Sequence, residues 1–176
     1  QEPGKGTAPG MTVAQNLSLA LNKARLRLRQ GVTKKRREFF REELEELGLG
    51  LEERLDEKVY HLSGGERQGI AILMATLDTP KLLLLDEHTA SLDPRNAEKI
   101  LEITGRLIKD KNLTTIMVTH DMNQALKWGN NLEMLHRGTI VFRAHDEEKA
   151  KLSIEDLLNC FSERKLSDDK LLLSLS

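Results

Sequence analysis

The chain has 176 residues, of which 39% are hydrophobic and 31% charged, and its formal net charge is −1. Such a composition is typical of a globular protein with one sizeable core, and the balanced charge gives no overall attraction to nucleic acid or to an anionic membrane. The apolar runs are far shorter than the roughly 20 residues of a membrane helix. The single cysteine, Cys160, cannot form a disulfide within the chain, and we expect a cytoplasmic protein that meets a membrane only at its surface.

The first 50 residues predict a small helical unit. A Gly/Pro-rich loop opens the chain, and the three-to-four spacing of apolar residues over 12–21 predicts a first helix. The stripe of the second helix is Phe40, Leu44 and Leu47, and Gly48 marks its end. We interpret the many charges over 23–46 as a solvated helical face with ion pairs at i,i+4 spacing, rather than as a nucleic-acid surface.

From Lys81 onward, short apolar runs alternate with helical stretches, which is typical of βαβ units and a mostly parallel sheet. We expect a buried strand, a helix, a second strand, a hairpin at the sheet edge and a helical tail. These elements are Leu82–Leu85, Arg95–Lys111, Thr114–Val118, Leu132–Leu135 with Thr139–Phe142, and the residues from Ser153 on. The predicted fold class is therefore α/β.

The most specific segment is Leu62–Gln68, with the sequence LSGGERQ, which an apolar helical run follows at once. Ser63, Gly64 and Gly65 at the start of a helix leave backbone N–H groups unpaired, while the helix dipole favours an anion and no side chain blocks its approach. A phosphate fits such a site. For this segment alone, an ordinary serine N-cap with a glycine turn is the alternative.

Two carboxylates, Asp86 and Glu87, follow the predicted strand Leu82–Leu85 directly. Open α/β sheets bind their ligands in the crevice at the carboxyl ends of the strands. One carboxylate can hold a magnesium ion there while its neighbour orients and deprotonates an attacking water. By itself, the pair also fits a strand that simply leaves the core.

Two further segments complete the pattern, SLDP at Ser91–Pro94 and VTHD at Val118–Asp121. His120 comes just after the second predicted strand. If that strand neighbours the first, His120 lies beside the carboxylate pair and can donate a hydrogen bond to a phosphate oxygen.

In this order, the four segments resemble the ATP-binding cassette (ABC) ATPases, and most closely the ATPase subunits of membrane transporters. Leu62–Gln68 resembles the signature motif, Leu82–Glu87 the Walker B strand, Ser91–Pro94 the D-loop and Val118–Asp121 the switch-histidine loop, while Gln1 stands where the Q-loop glutamine would be. The resemblance implies a partial nucleotide-binding domain of the P-loop NTPase type. Its expected parts are a Q-loop and helical subdomain at 1–80, the remaining catalytic α/β core at 81–150 and a helical tail at 151–176.

The same resemblance implies ATP and Mg²⁺ as cofactors and assigns a role to each motif residue. Asp86 and Gln1 would contact magnesium, with Gln1 also near the attacking water. Glu87 would be the general base and His120 would sense the γ-phosphate. The residues that would bind the nucleotide of a second subunit are Ser63, Gly64, Gly65 and Glu66, and Asp93 would reach across the same interface.

The implied assembly is a head-to-tail homodimer of ABC ATPase subunits with two shared ATP sites. It would work with a transmembrane permease and, in importers, an extracytoplasmic substrate-binding protein, at the inner face of the cell membrane. Nucleic acid is not an expected partner. Two alternatives stay open: an ABC ATPase that acts on nucleic acid or the ribosome, supported by the basic residues over 23–41, and a non-catalytic interaction module of the same family.

Two departures from the family pattern stand out. The sequence has no Walker A loop, G-x-x-x-x-G-K-[ST], and the run Gly4–Thr7 lacks the upstream glycine and the flanking elements of one. We therefore expect that a segment preceding Gln1 carries the Walker A loop in the native protein, and that this chain alone binds ATP weakly or not at all. His88 stands where the family commonly has proline, and similar bacterial importer ATPases carry DEHTA here; we interpret His88 as a subgroup feature rather than a catalytic residue.

Overall fold

The structure is a computed structural model that describes residues 5–21 and 32–161. It divides the chain into two compact units, Gln1–Val118 and Thr119–Ser176. Gln1 and the part of the basic stretch that spans 23–31 lie outside the described residues. Within the described ranges, no helix has the length and apolar character needed to cross a membrane.

The described residues of the first unit form four helices, as the apolar spacing predicts. They are α1 (Val13–Leu21), α2 (Lys34–Leu47), α3 (Gly64–Thr76) and α4 (Pro94–Asp110), with a short 3₁₀ turn at Val59–His61 before α3. The predicted stripe of α2 is fully buried, and it packs with apolar residues of α1, α3 and α4 in one core. Gly48 ends α2 with φ +65°, the left-handed conformation that glycine adopts without strain.

The charged residues of α2 pair with other segments of the first unit. Arg37 donates two hydrogen bonds to Asp56 at 2.8 and 2.6 Å, and Glu43 accepts one from Lys111 at 2.9 Å. These contacts connect α2 to the loop before α3 and to the end of α4. The sequence predicts ion pairs within α2 at i,i+4 spacing, whereas these charged residues pair with residues that are distant in sequence.

Two parallel strands flank α4 in the chain: β1 (Leu83–Asp86) precedes it and β2 (Thr115–Val118) follows it. Leu85 lies opposite Met117 in their register. The prediction of two parallel strands around a helix is confirmed, but full burial of Leu82–Leu85 is wrong. Leu83 and Leu85 pack with Ala75 and Ile108, whereas Leu84 on the other face is 66% exposed. Side chains of a strand alternate between two faces, and in the described part of the chain only one face of this pair is covered.

The second unit contains α5 (Met122–Lys127), the antiparallel strands β3 (Asn131–His136) and β4 (Thr139–His145), α6 (Asp146–Lys149) and a helix over 154–161. The predicted hairpin and helical tail are both present. The turn residues Arg137 and Gly138 have φ of +47° and +77°, which suits a two-residue hairpin. The expectation of a hairpin at the edge of the parallel sheet is wrong, because β3 and β4 form a two-stranded sheet of their own among the described residues.

Candidate functional site

The segment Leu62–Gln68 opens α3 through a capping box. Ser63 is the N-cap, and its hydroxyl oxygen accepts a hydrogen bond from the backbone N–H of Glu66 at 3.3 Å. In return, Oε2 of Glu66 accepts the backbone N–H of Ser63 at 2.7 Å. The predicted helix start is confirmed, and the S-x-x-E spacing in the sequence is a recognised sign of this cap.

The capping box determines which groups of this turn remain for a ligand. The amides of Ser63 and Glu66 are bonded inside the box, and the remaining first-turn amides are those of Gly64 and Gly65. The hydroxyl oxygen of Ser63 accepts a hydrogen bond within the cap. We call Ser63–Glu66 the signature turn. Its amides and the N-terminal end of the helix dipole favour an anion there.

The signature turn packs against the start of α4. A β-carbon added to Gly64 would lie 3.4 Å from Cδ2 of Leu92, and one added to Gly65 would lie 3.3 Å from Cγ of Asn96. The small residues therefore allow a close approach to α4 as well as to a ligand. Asn96 contributes to this packing but is not conspicuous in the sequence.

Asp93, the aspartate of the SLDP segment, is the N-cap of α4. Its Oδ1 accepts the backbone N–H of Asn96 at 3.1 Å, and its Oδ2 accepts the side-chain amide of Asn96 at 2.6 Å. These bonds hold the pKa of Asp93 below its usual value. Asp93 thus has a definite role within its own chain, next to the signature turn.

Arg54 joins the signature turn to the loop before it. Its Nη1 donates to Oε1 of Glu66 at 2.5 Å, while Nε and Nη2 donate to the two oxygens of Glu57 at 2.7 and 3.0 Å. Burial opposes ionisation of Glu66, but hydrogen bonds from Ser63 and Arg54 outweigh it, so the pKa of Glu66 lies below its ordinary value. No local sequence motif indicates Arg54, because its partner Glu66 lies twelve residues away in the chain.

Asp86 and Glu87 lie at the carboxyl end of β1, as predicted. Asp86 is the last strand residue and is exposed, opposite Val118 in the register. Glu87 is half-buried, and its N–H donates to the carbonyl of Val118 at 3.0 Å. Its φ of +43° lies in the left-handed region, which is uncommon for a non-glycine residue and often marks functional positions.

His88 is buried, with 5% of its surface exposed, and it lies beside α4. Its Nε2 is 3.5 Å from the hydroxyl of Thr104, which donates its own proton to the carbonyl of Ile100 at 2.7 Å. The Thr104 oxygen can then only accept, so this contact requires a hydrogen on Nε2. Burial lowers the pKa of His88 to about 4, which keeps the ring neutral near pH 7.

His120 follows the end of β2 and belongs to the second unit. The adjacent Asp121 is the N-cap of α5, and its Oδ1 accepts the N–H groups of Asn123 at 2.8 Å and Gln124 at 3.4 Å. The structure therefore places the signature turn and Asp93 together, and Asp86 and Glu87 together, in the first unit. Gln1 lies outside the described residues.

The carboxylates at the end of β1 fit a magnesium ion whose other ligands are water and the phosphates of a substrate. The described residues contain no group of three or more His, Cys, Asp or Glu side chains arranged around one point. Magnesium at phosphate-transfer sites needs only one or two protein carboxylates, with water and phosphate as its other ligands. Asp86, an exposed carboxylate at the strand end, satisfies that requirement.

Comparison with known proteins identifies the family. The family described as ABC transporter matches residues 1–90. The tyrosine transport ATP-binding protein of Clostridioides difficile is 45% identical over 161 residues, which cover 92% of this chain and 64% of that protein. The energy-coupling factor transporter ATP-binding protein EcfA2 of Bacillus licheniformis is 42% identical over 106 residues, which cover 60% of this chain and 36% of that protein. The chain thus spans less than two thirds of the length of these relatives.

Solved structures show the same fold. The chain aligns with cbiO1 from Clostridium perfringens, part of the ABC transporter complex cbiONQ, with a TM-score of 0.67 and 24% identity over 82% of this chain and 54% of that one. It also aligns with the ATP-binding cassette MJ0796, a dimer in a post-hydrolysis state bound to ADP and Pi. The TM-score is 0.62 and the identity 29%, over 79% of this chain and 58% of that one. The predicted fold class is confirmed as part of a P-loop NTPase-like nucleotide-binding domain. Together with the family match, these likenesses establish that the chain belongs to the ABC transporter family.

Proposed function

We propose that the protein carrying this chain binds and hydrolyses ATP to energise a membrane transporter. The observation that carries the proposal is the signature turn, which opens α3 with the Gly64 and Gly65 amides remaining for an anion and lies in the same unit as Asp86 and Glu87. The relatives support it, because one is named as a transport ATP-binding protein and another as a transporter ATP-binding protein.

Each motif residue has a proposed role at the shared nucleotide site. Magnesium, when bound, would neutralise phosphate charge, with Asp86 and Gln1 holding it. Glu87 would accept a proton from the attacking water, which Gln1 would help to orient, and His120 would donate a hydrogen bond to the γ-phosphate. The nucleotide of the partner subunit would meet Ser63, Gly64, Gly65 and Glu66, beside Asp93.

The proposed assembly is a head-to-tail homodimer whose two ATP sites each combine the two subunits. Closure on ATP and opening after hydrolysis would move the helical part of the first unit, and a transmembrane permease would follow this motion. A substrate-binding protein outside the cell is a further proposed partner. The subunit itself would lie in the cytoplasm against the membrane. This chain by itself, without a Walker A loop, would bind ATP weakly or not at all.

ATP hydrolysis by the full-length protein tests this function. We expect phosphate release from ATP that Glu87→Gln lowers by at least about 100-fold, the usual range for losing a general base. Glu102→Gln, which neutralises an exposed carboxylate of α4, is the matched control and should retain the activity. Absence of hydrolysis in the wild-type protein, or equal loss in both variants, would contradict the proposal and favour a non-catalytic module.

A further inference from the structure

The cation Arg54 contacts the signature turn directly, through the carboxylate of Glu66. The two oxygens of Glu66 are divided between two donors: Oε2 takes the Ser63 amide and Oε1 takes Arg54. Glu66 therefore closes the helix cap with one oxygen while Arg54 holds the other. Ser63 and Arg54 thus fix the orientation of the Glu66 carboxylate together.

Arg54 is itself fixed by a second carboxylate. Its Nε and Nη2 make a two-point contact with Glu57, while Nη1 donates to Glu66. Such a planar two-point contact fixes a guanidinium in direction as well as in position. The side chains of Arg54, Glu57 and Glu66 are only 33%, 30% and 21% exposed, so water screens their charges incompletely.

The electrostatic problem at this turn comes from Glu66. An ionised carboxylate in the first turn stabilises the helix, but it repels a phosphate that approaches the same N-terminus. Glu57 adds a second negative charge close by. The guanidinium of Arg54 lies between the two carboxylates and offsets one of these charges where the phosphate would bind.

We infer that Arg54 is a positioning and charge-compensating residue of the signature turn, which lets Glu66 cap the helix without excluding the phosphate of a nucleotide held by the partner subunit. This inference rests on the proposed function. Arg54 does not touch the nucleotide in this account; it acts through Glu66. Removing Arg54 would weaken ATP binding at the shared site and leave the chemical step unchanged.

Steady-state hydrolysis by the full-length protein tests the inference through a double-mutant cycle of Arg54→Met and Glu66→Gln. We expect Arg54→Met to raise the KM for ATP by about three- to tenfold, the range of a partly buried charge at a helix end, with kcat within about twofold. In the Glu66→Gln background, the same change should alter KM by less than about twofold, because the charge that Arg54 offsets is gone. Arg54→Lys keeps the cation but loses the two-point contact with Glu57, so its KM should lie between the wild-type and Arg54→Met values.

The matched control is Arg37→Met, which removes a similar two-point contact, to Asp56, that does not involve α3. It should leave KM unchanged. A purely structural role for Arg54 would instead give the same loss in the wild-type and Glu66→Gln backgrounds, and that outcome would overturn the inference, as would an unchanged KM in Arg54→Met. If Arg54→Met does not fold, Arg54→Gln replaces it in the same cycle. A wild-type protein that does not hydrolyse ATP would contradict the proposed function itself, which distinguishes the two failures.

Discussion

Asn96 lies against Gly65, so that a β-carbon added to this glycine would be 3.3 Å from both Cγ and Oδ1 of the asparagine. Asp93 holds Asn96 in this place by two hydrogen bonds. The second glycine of the signature turn is therefore needed for packing inside the subunit as well as for its proposed contact with a nucleotide. This relationship makes the signature turn and the start of α4 one structural unit.

Gly65→Ala should destabilise the protein by about 1 kcal/mol net, because the movement of Asn96 by a few tenths of an ångström and the disturbed bonds to Asp93 outweigh the roughly 0.5–1 kcal/mol that alanine gains over glycine in a helix. The measurement is urea unfolding of the full-length protein. Gly10→Ala is the matched control, since a β-carbon at Gly10 would meet nothing within 4 Å, and it should change the free energy of unfolding by less than about 0.5 kcal/mol. Equal effects of the two substitutions would contradict the packing account.

Substitutions of Asp93 can separate its observed role as a cap from its proposed role at the interface. Asp93→Ala should lower the free energy of unfolding by about 1 kcal/mol, and Asp93→Ser should restore most of it, because serine is also a good N-cap. If Asp93 also reaches the partner subunit, Asp93→Ser should still weaken ATP-dependent dimerisation, measured by light scattering. Normal dimerisation in a stable Asp93→Ser variant would limit Asp93 to capping α4.

The sequence predicts where the helices and strands of this fold lie better than it predicts which of their faces are buried. The spacing of Phe40, Leu44 and Leu47 identifies α2 because a helix that buries one face must repeat its apolar residues every three to four positions. The four-leucine run predicts β1 but not the exposure of Leu84, because a strand's pattern does not reveal which neighbours cover each face.

In the candidate site, too, the sequence predicts local contacts but not contacts between distant segments. Ser63 and Glu66 form a cap that local spacing can reveal, since both partners lie within one helical turn. Arg54 and Asn96 act through contacts between different segments, which no local pattern encodes. The left-handed backbone of Glu87 is equally unexpected, because glutamate has no preference for it.

The buried neutral ring of His88 predicts a pH-dependent stability. The pKa is about 4 in the folded protein and 6.5 ordinarily, so the unfolded chain binds the proton more tightly between these values. The contribution is fully present above about pH 6.5 and declines as the pH falls towards 4, by up to about 3 kcal/mol. His88→Leu should remove this part of the decline, seen by comparing unfolding free energies with those of the wild type across that range.

His61→Gln is the matched control for that experiment, because His61 is exposed. This variant keeps His88 and should therefore keep the decline towards pH 4 that His88→Leu removes. The difference between the wild-type and His88→Leu profiles isolates the ring from carboxylates that also titrate as the pH falls. Parallel profiles would show that the His88 ring is solvated or charged in the folded state, contrary to the structure.

The backbone of Glu87 predicts a conflict between stability and activity. A non-glycine residue in the left-handed region costs about 1 to 2 kcal/mol, and asparagine tolerates this region better than glutamate does. Glu87→Asn should therefore be at least as stable as the wild type in thermal unfolding while losing hydrolysis. Glu87→Gln keeps the side-chain size and should lose hydrolysis without gaining stability. A Glu87→Asn variant that is clearly less stable than Glu87→Gln would rule out relief of strain.

The most direct test of the central claim is complementation between two inactive variants of the full-length protein. Ser63→Arg blocks the signature turn and Glu87→Gln removes the proposed base, so each homodimer should be inactive. In a mixed head-to-tail dimer, one site combines an intact base from one subunit with an intact signature turn from the other. An equal mixture should therefore regain about a quarter of wild-type hydrolysis, since half of the dimers are mixed and each has one complete site. No recovery, with mixed dimers shown to form and the wild type active, would contradict a nucleotide site shared between the base of one subunit and the signature turn of its partner.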